Sequence, residues 1–175
     1  MRQVLYRVAA SLDGYIAGPN GEVDWIVPDP AVDLTSVYES VDTVLLGRRT
    51  YELTRQPGAP PWPRGWQIYV FSRTLNPEEH KGVTVVSVDA GARVAALRAG
   101  AGRSIWLFGG GSLFRSLLDE KQVDQLEVAV MPVLLGGGVP LLEAGSPPAR
   151  LALEDVQRYP TGLLGLRYRI SATES

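Results

Sequence analysis

The 175-residue sequence contains no cysteine and a single histidine. Without cysteine, the protein can form neither a disulfide nor a thiolate metal site. The histidine, His80, stands in a polar, loop-like stretch, which predicts a solvated side chain rather than a catalytic base or a metal ligand. We therefore expect no metal site.

The sequence also lacks an excess of positive charge and a long apolar run. Its 17 Lys and Arg and 19 Asp and Glu give a formal net charge of −2, whereas proteins that bind nucleic acid or membrane surfaces need a basic surface. No apolar run approaches the roughly 20 residues of a membrane span, and the first residues lack the apolar core of a signal peptide. We expect a cytoplasmic protein that binds neither nucleic acid nor membrane.

Length and composition predict one domain over residues 1–175. A hydrophobic content of 45% and a charged content of 21% are ordinary for a globular protein, and the chain is short for two domains. Short apolar runs, typical of buried parallel strands, alternate with amphipathic segments, and a hairpin closes the chain. The expected fold is α/β, with a mostly parallel central sheet flanked by helices and an antiparallel C-terminal edge.

The most informative stretch is a glycine turn in the middle of the second half. Four apolar residues, 105–108, run into Gly109-Gly110-Gly111, and helical spacing follows from Ser112. Ser112 is a good N-cap, and glycines let a ligand approach the backbone N–H groups closely. A strand, a glycine turn and a helix start together form an anion site, most often for phosphate. A plain tight turn is the alternative, and the glycine spacing does not match the dinucleotide fingerprint.

Two further predicted strands end in residues that suit an anion. These residues are Gly47-Arg48-Arg49-Thr50 and Ser72-Arg73. In an open α/β sheet, ligands bind outside the carboxyl ends of the strands, and arginine presents two parallel donors to a phosphate. Because cations are unfavourable at a helix start, the arginine pair favours an anionic ligand over a solvated helix end.

Taken together, these motifs resemble the dihydrofolate reductase-like superfamily. Within it, the chain is most similar to stand-alone relatives of the C-terminal reductase domain of the bifunctional riboflavin-biosynthesis deaminase–reductase. The motifs occur in the family's order over nearly the whole chain: residues 11–18, Asp24-Trp25, Gly47 to Glu52, Ser72-Arg73, Phe108 to Gly111, and residues 132–141. The resemblance implies a dihydrofolate reductase-like sheet, NADPH as hydride donor, and reduction of a heterocycle or ribosylamine.

The resemblance also implies which residues hold the cofactor. Gly47, Arg48, Arg49 and Thr50 would face the adenosine phosphate and pyrophosphate. The pyrophosphate would also lie over the glycine turn, formed by Phe108, Gly109, Gly110, Gly111, Ser112 and Leu113. Ser72 and Arg73 would bind the 2′-phosphate, which favours NADPH over NADH, and the backbone of Ala10 with Ile16 and Ala17 would hold the nicotinamide amide.

The residues that would face the substrate are less sharply defined. Asp13, beside the expected nicotinamide, could bind a substrate amine or order a proton-donating water, or it could cap a turn. Asp29-Pro30 has the pattern of an N-cap followed by the first helical residue. That leaves Asp33 to face the substrate, although an acid in a first turn also favours the helix dipole. Trp25 and Tyr38 could stack on a flat heterocycle or belong to the core.

Two positions depart from the family pattern. Asp24-Trp25 stands where dihydrofolate reductases have a Pro-Trp pair, and Phe108 stands where the riboflavin reductase domain usually has a glutamate. The expected activity is NADPH-dependent reduction of a small nitrogen heterocycle, of the 5-amino-6-(5-phosphoribosylamino)uracil reductase type in riboflavin biosynthesis. Dihydrofolate reduction is the alternative activity, and an NADPH-binding sensor without turnover is an alternative of another class. A structural protein whose glycines only make turns is a third.

The quaternary structure is also predicted from the family. Its reductases are commonly dimers, so we expect a homodimer. The apolar segment from Val128 to Leu142 could form the interface or could equally belong to the core.

Overall fold

The computed structural model describes residues 1–145 and 148–171, which contain ten strands and four α-helices. The helices are α1 (Leu34–Glu39), α2 (Arg48–Leu53), α3 (Ala90–Ala99) and α4 (Gly111–Asp119). The strands are β1 (Val4–Ser11), β2 (Tyr15–Ala17), β3 (Val41–Gly47), β4 (Gln67–Phe71), β5 (Thr84–Val86), β6 (Ser104–Gly109), β7 (Gln125–Met131), β8 (Val139–Pro140), β9 (Leu151–Arg158) and β10 (Leu164–Ile170).

Eight of the strands form one sheet in the order β5-β4-β3-β6-β1-β7-β10-β9, and β2 pairs with β8 in a separate ribbon. The first six strands of the sheet are mutually parallel, whereas β10 runs antiparallel to both β7 and β9. The predicted α/β fold, with a mostly parallel sheet and an antiparallel C-terminal edge, is confirmed. The β2–β8 ribbon was not predicted, because strands of three and two residues carry no readable periodicity.

Each face of the sheet carries its own hydrophobic core, and β6 shows how the sequence divides between them. Ile105 and Leu107 point to the face covered by α3 and α4. Trp106 and Phe108 point to the face covered by α1 and α2. Ile105 and Leu107 are fully buried, and burying such a side chain contributes about 1.5–3 kcal/mol. Since both faces are covered, β6 reads as a continuous apolar run, which is what made it recognisable in the sequence.

The first helix begins later than the sequence pattern indicates. Asp33, not Asp29, is the N-cap of α1, and its carboxylate accepts a hydrogen bond from the backbone N–H of Ser36 at 3.1 Å. The predicted cap at Asp29 is therefore wrong. Asp29 is buried and accepts hydrogen bonds from the hydroxyl and the backbone N–H of Thr161, at 2.7 and 3.2 Å. The Thr161 hydroxyl is the main cause of the lowered pKa of Asp29, with the backbone N–H of Ala31 second.

One other element end differs from the prediction. Gly110, not Ser112, is the N-cap of α4. The starts of α2 and α4 lie immediately after β3 and β6, because the glycines there turn the chain without an intervening loop.

None of the helices in the described ranges is long and apolar enough to cross a membrane. In the segment proposed as an interface or core, β7 lies between β1 and β10, and Val128 is part of the buried core. The homodimer itself stays a prediction.

Candidate cofactor and substrate site

The starts of α2 and α4 meet at the carboxyl edge of the sheet, because β3 and β6 are adjacent parallel strands. The contact is so close that it leaves no space for side chains on the glycines. A Cβ at Gly109 would lie 2.9 Å from Cγ2 of Thr50, and one at Gly110 would lie 3.3 Å from Cα of Gly47. Gly110 also has a positive φ of 110°, which side chains rarely adopt. The structure thus brings together the glycines and the threonine that the sequence assigned to the pyrophosphate.

The end of β4 joins this edge through a residue that the sequence analysis missed. Thr74 accepts a hydrogen bond from Nη1 of Arg48 at 2.6 Å, and its hydroxyl oxygen lies 3.3 Å from Oγ of Ser72. Oγ of Ser72 also accepts from the backbone N–H groups of Thr74 and Leu75. A second hydroxyl two residues after Ser72 was the available signal. Ser72 and Arg48, predicted from separate strand ends, are therefore neighbours.

The arginines at this edge differ in how far they are engaged. Nε of Arg48 lies 2.7 Å from Oε1 of Glu52, one turn along α2, with both side chains about half exposed. Such an exposed pair contributes little stability, so it does not prevent Arg48 from binding another anion. Arg49 and Arg73 are exposed. The edge therefore presents three guanidinium groups beside two helix starts, an arrangement that suits phosphate.

The β2–β8 ribbon packs on the start of α4. We refer to this ribbon, the glycine turn at residues 109–111 and the arginines Arg48, Arg49 and Arg73 together as the groove. A Cβ at Gly138 would lie only 2.1 Å from the carbonyl oxygen of Ala17, and one at Gly111 would lie 3.1 Å from that of Pro140. Ala10 is buried near the end of β1, and Ile16 packs against the core. The residues predicted to hold the nicotinamide amide therefore lie beside the glycine turn.

Asp13 links the two loops that border this end. Its carboxylate accepts hydrogen bonds from Oγ of Ser11 at 2.6 Å and from the backbone N–H groups of Leu135 and Gly136 at 3.1 and 2.7 Å. The Ser11 hydroxyl and then these N–H groups lower the pKa of Asp13 to about 2, against an opposing effect of burial. At neutral pH the group is a carboxylate that cannot donate a proton. Its predicted substrate role, binding an amine or ordering a water, is compatible with this charge and stays a prediction.

A carboxylate that the sequence analysis overlooked lies at the first turn of α4. Oγ of Ser112 donates a hydrogen bond to Oε1 of Glu143, and the backbone carbonyl of Glu143 accepts from Nη1 of Arg115 at 3.3 Å. A negative charge is stabilised at a helix N-terminus. Glu143 thus occupies part of the predicted anion site. Leu113 points into the core, so only its backbone can face a ligand there.

A cleft of about 470 Å³ lies between the segment that follows β2 and the end of α2. Its lining consists of Asn20, Gly21, Glu22, Val23, Asp24, Leu53 and Gln56. The Glu22 carboxylate closes its own turn by accepting from the side-chain and backbone N–H groups of Asn20, which lower the pKa of Glu22. We name these seven residues the acidic cleft.

The two predicted aromatic substrate residues lie in different surroundings. Tyr38 belongs to an aromatic cluster on the α1 and α2 face, 5.8 Å from the ring of Trp66 and 6.2 Å from that of Trp106, and it is 41% exposed. Phe108 belongs to the same cluster, 4.9 Å from Trp106. Trp25 is half-buried beside the acidic cleft, where its Nε1 donates to the carbonyl oxygen of Glu22. A stacking role for either residue stays a prediction.

His80 is less solvated than its sequence context indicates. It is half-buried, and its Nδ1 lies 3.2 Å from the hydroxyl of Tyr51 and 3.0 Å from Nη1 of Arg55. The side chain predicted to be solvated is thus only partly exposed, because the 3-10 turn at residues 77–79 brings His80 onto α2. Over residues 1–145 and 148–171, no three His, Cys, Asp or Glu side chains form a group that could hold a metal ion.

Comparison with known proteins places the chain in a family. Residues 2–164 match the model of the RibD C-terminal domain, so the chain belongs to the RibD C-terminal domain family. Membership of this family supports an oxidoreductase. The uncharacterized protein YyaP of Bacillus subtilis (strain 168) is 30% identical over 178 residues, covering 95% of this chain and 94% of YyaP.

Solved structures give the same fold. A putative riboflavin biosynthesis protein from Shewanella sp. PV-4 superposes with a TM-score of 0.84 at 28% identity, over 98% of this chain and 100% of that one. Dihydrofolate reductase from Enterococcus faecalis, solved in complex with NADP(H), superposes with a TM-score of 0.67 at 20% identity, over 97% of each chain. The second likeness concerns the fold alone.

Proposed function

We propose that the protein is an NADPH-dependent reductase that transfers hydride to a small nitrogen heterocycle, of the 5-amino-6-(5-phosphoribosylamino)uracil reductase type in riboflavin biosynthesis. The observation that carries the proposal is the meeting of two helix starts, without intervening side chains, beside three arginines. Membership of the RibD C-terminal domain family supports a reductase.

The residues at this edge fit a dinucleotide phosphate. Gly109 and Gly110 leave a backbone surface on which a pyrophosphate can approach N–H groups. The helix dipoles of α2 and α4 favour its charge, and Arg48 and Arg49 can neutralise it. Ser72 and Arg73 would bind the 2′-phosphate, since a guanidinium group and a hydroxyl both donate to phosphate oxygens.

When bound, NADPH would supply the hydride. The protein would position the cofactor against the substrate and exclude water from the site. The backbone of Ala10 and the β2–β8 ribbon would hold the nicotinamide amide, and Asp13 would keep the two bordering loops together through its hydrogen bonds to residues 135 and 136. Asp33 stays a candidate substrate residue, although its carboxylate already caps α1.

The decisive experiment is a calorimetric titration with NADPH and NADH in parallel, repeated on Arg73→Ala. Loss of charge-assisted hydrogen bonds to the 2′-phosphate should weaken the binding of NADPH by about tenfold or more and leave the binding of NADH unchanged. Arg64→Ala, another exposed arginine outside the groove, is the matched control and should change neither affinity. If neither nucleotide binds the unmodified protein, the reductase proposal fails.

Two alternative functions can be tested separately. The fold shared with dihydrofolate reductase is the reason to test dihydrofolate reduction, and turnover of dihydrofolate with NADPH would establish it. The other alternative is a sensor that binds NADPH without turnover. NADPH oxidation with an added heterocycle would exclude the sensor.

We also propose that the protein forms a homodimer. The support is an exposed apolar surface on β9, an edge strand of the sheet, where Leu151, Leu153 and Val156 are 43%, 56% and 47% exposed. Edge strands with apolar side chains are ready to pair with another chain. Sedimentation of the protein and of Leu153→Glu would test this: a dimer should dissociate in the variant, and a monomeric unmodified protein would contradict the proposal.

A further inference from the structure

Thr74 joins two parts of the cofactor edge that are far apart in the sequence. It is an exposed residue shortly after the end of β4, and its hydroxyl oxygen accepts a hydrogen bond from Nη1 of Arg48, the first residue of α2, at 2.6 Å. The same oxygen lies 3.3 Å from Oγ of Ser72. The Thr74 hydroxyl therefore lies between two side chains that follow β3 and β4, which are adjacent parallel strands.

The bond to Thr74 fixes the Arg48 guanidinium group relative to the end of β4. Nε of Arg48 also donates to Oε1 of Glu52 at 2.7 Å, but this partner lies one turn away on the same helix. Of the side-chain bonds that Arg48 makes within the described ranges, only the one to Thr74 reaches the end of β4. An arginine side chain that is ordered only on binding loses conformational entropy at that step. With both contacts in place, the guanidinium group is ordered beforehand, and its remaining N–H groups stay available to an anion.

Ser72, on the other side of Thr74, can act toward a ligand only as a donor. Its Oγ accepts hydrogen bonds from the backbone N–H groups of Thr74 and Leu75 at 3.2 and 3.1 Å, and these fill the two acceptor positions of a hydroxyl oxygen. The contact with the Thr74 hydroxyl, at 3.3 Å, is long for a bond between two hydroxyl groups. The Ser72 proton is therefore available to an acceptor outside the protein.

Arg48 and Ser72 together favour a ligand that accepts several hydrogen bonds. A guanidinium group has no acceptor, and the lone pairs of Ser72 are filled, so neither side chain can accept a hydrogen bond from a ligand. A fully ionised phosphate group offers only acceptor oxygens, and charge-assisted hydrogen bonds to it are stronger than neutral ones. A ribose hydroxyl offers a single oxygen and carries a proton of its own. The pair therefore favours a phosphate over a hydroxyl.

The turn after β4 does not depend on the Thr74 hydroxyl. Oγ of Ser72 closes this turn by accepting from backbone N–H groups, and a valine at position 74 keeps its N–H group. Leu75 packs against the core on the α1 and α2 face, whereas Thr74 is exposed. The substitution Thr74→Val therefore removes the contact with Arg48 and leaves the turn in place.

We infer, on the basis of the proposed function, that Thr74 is a positioning residue that strengthens the preference for NADPH over NADH. NADPH has a phosphate where NADH has the 2′-hydroxyl. By holding the Arg48 guanidinium group beside Ser72, the Thr74 hydroxyl adds this arginine to Ser72 and Arg73, the groups proposed to bind the 2′-phosphate. Without the hydroxyl, Arg48 stays paired with Glu52 and is no longer held toward that phosphate.

The test is calorimetric titration of Thr74→Val and Thr74→Ser with NADPH and with NADH. In Thr74→Val the affinity for NADPH should fall by about fivefold, because the bond that orders Arg48 is lost, while the affinity for NADH should change by less than about twofold. Thr74→Ser keeps the hydroxyl and should restore the affinity for NADPH. Thr84→Val, at an exposed threonine on β5, is the matched control and should change neither affinity.

Three results of this titration would overturn the inference. The first is an unchanged affinity for NADPH in Thr74→Val. The second is an equal loss for both nucleotides, which is what a merely structural role of the hydroxyl predicts. The third is a failure of Thr74→Ser to restore the affinity for NADPH.

A double-mutant cycle tests whether Thr74 acts through Arg48. In Arg48→Ala the hydroxyl has no guanidinium group to hold, so adding Thr74→Val should change the affinity for NADPH by less than about twofold. In the unmodified protein the same substitution should weaken binding by about fivefold. Equal losses in the two backgrounds would show that Thr74 acts independently of Arg48, contrary to the inference.

The fold of each variant and the two possible failures can be checked separately. Urea unfolding midpoints of the Thr74 variants should match that of the unmodified protein, because the residue is exposed. If the unmodified protein binds no NADPH, the proposed function fails. If NADPH binds the unmodified protein and Thr74→Val equally well, only the inference fails.

Discussion

Two glycine triplets that look alike in the sequence do different work in the structure. In Gly109-Gly110-Gly111, the glycines allow two helix starts to pack against each other. In Gly136-Gly137-Gly138, the first glycine presents its N–H to Asp13, the second has open space around it, and the third passes under the carbonyl of Ala17. The first triplet leaves an open backbone surface, to which we assign the cofactor pyrophosphate by proposal, and the second connects two loops.

The difference shows that the role of a glycine run depends on the residues that surround it in the structure. The N–H groups of the first triplet lie at a helix start, and the absence of side chains leaves them accessible, which suits an anion. An N–H of the second triplet is already taken by the Asp13 carboxylate, so that loop has no comparable binding surface. Four predictions test this contrast.

The largest expected effect is within the second triplet. Gly138→Ala should destabilise the fold by about 3 kcal/mol, because the new Cβ would overlap the carbonyl of Ala17 and the residue has a φ of +140°. Gly137→Ala, in open space, should change the free energy of unfolding by less than about 0.5 kcal/mol. Urea unfolding midpoints measure both. Equal losses in the two variants would show that the triplet acts as one rigid unit.

The next effect concerns the first triplet. Gly109→Ala would place a Cβ 2.9 Å from Thr50, and the resulting overpacking should cost about 1–3 kcal/mol. Since Thr50 and the start of α2 must move, NADPH binding should fall as well, whereas Gly137→Ala should leave it unchanged. Calorimetric titration of both variants with NADPH measures these affinities. Normal affinity in Gly109→Ala would mean that the pyrophosphate does not contact this turn.

A smaller effect is expected for the acid that holds the second triplet. The pKa of Asp13 is lower in the folded protein, about 2 against the ordinary 3.8. Its contribution to stability is therefore complete above pH 3.8 and is lost as the pH falls toward 2. Asp13→Asn should lower the urea midpoint at pH 7 and reduce the loss of stability between pH 3.8 and 2. That loss should persist in Asp24→Asn. If it also persists in Asp13→Asn, Asp13 is not the group that causes it.

The smallest effect is at the start of α4. Removing the negative charge in Glu143→Gln should tighten NADPH binding by about two- to fivefold, because Glu143 competes with an anion for the helix N-terminus. The gain should shrink with added salt. A weaker affinity in the variant would instead show that Glu143 accepts a hydrogen bond from the bound cofactor.

The proximity of the residues proposed to bind the cofactor was largely predictable, because its signals are local. Arg48 and Thr50 follow one apolar run, and Gly109 follows another. Parallel strands bring such ends to one edge of the sheet. Thr74 was missed although its hydroxyl stands close to Ser72 in the sequence. Glu143 was missed because its partner, Ser112, lies 31 residues earlier.

By itself, the sequence determined the order of helices and strands, the parallel sheet with its antiparallel edge, and the glycines and arginines of the groove, since periodicity and turn chemistry act over a few residues. Only the tertiary structure decided what each aspartate does. Asp13 meets Gly136 across 123 residues and Asp29 meets Thr161 across 132. A carboxylate takes its role from whichever donors folding brings to it, and at Asp24 folding brings none from the described chain.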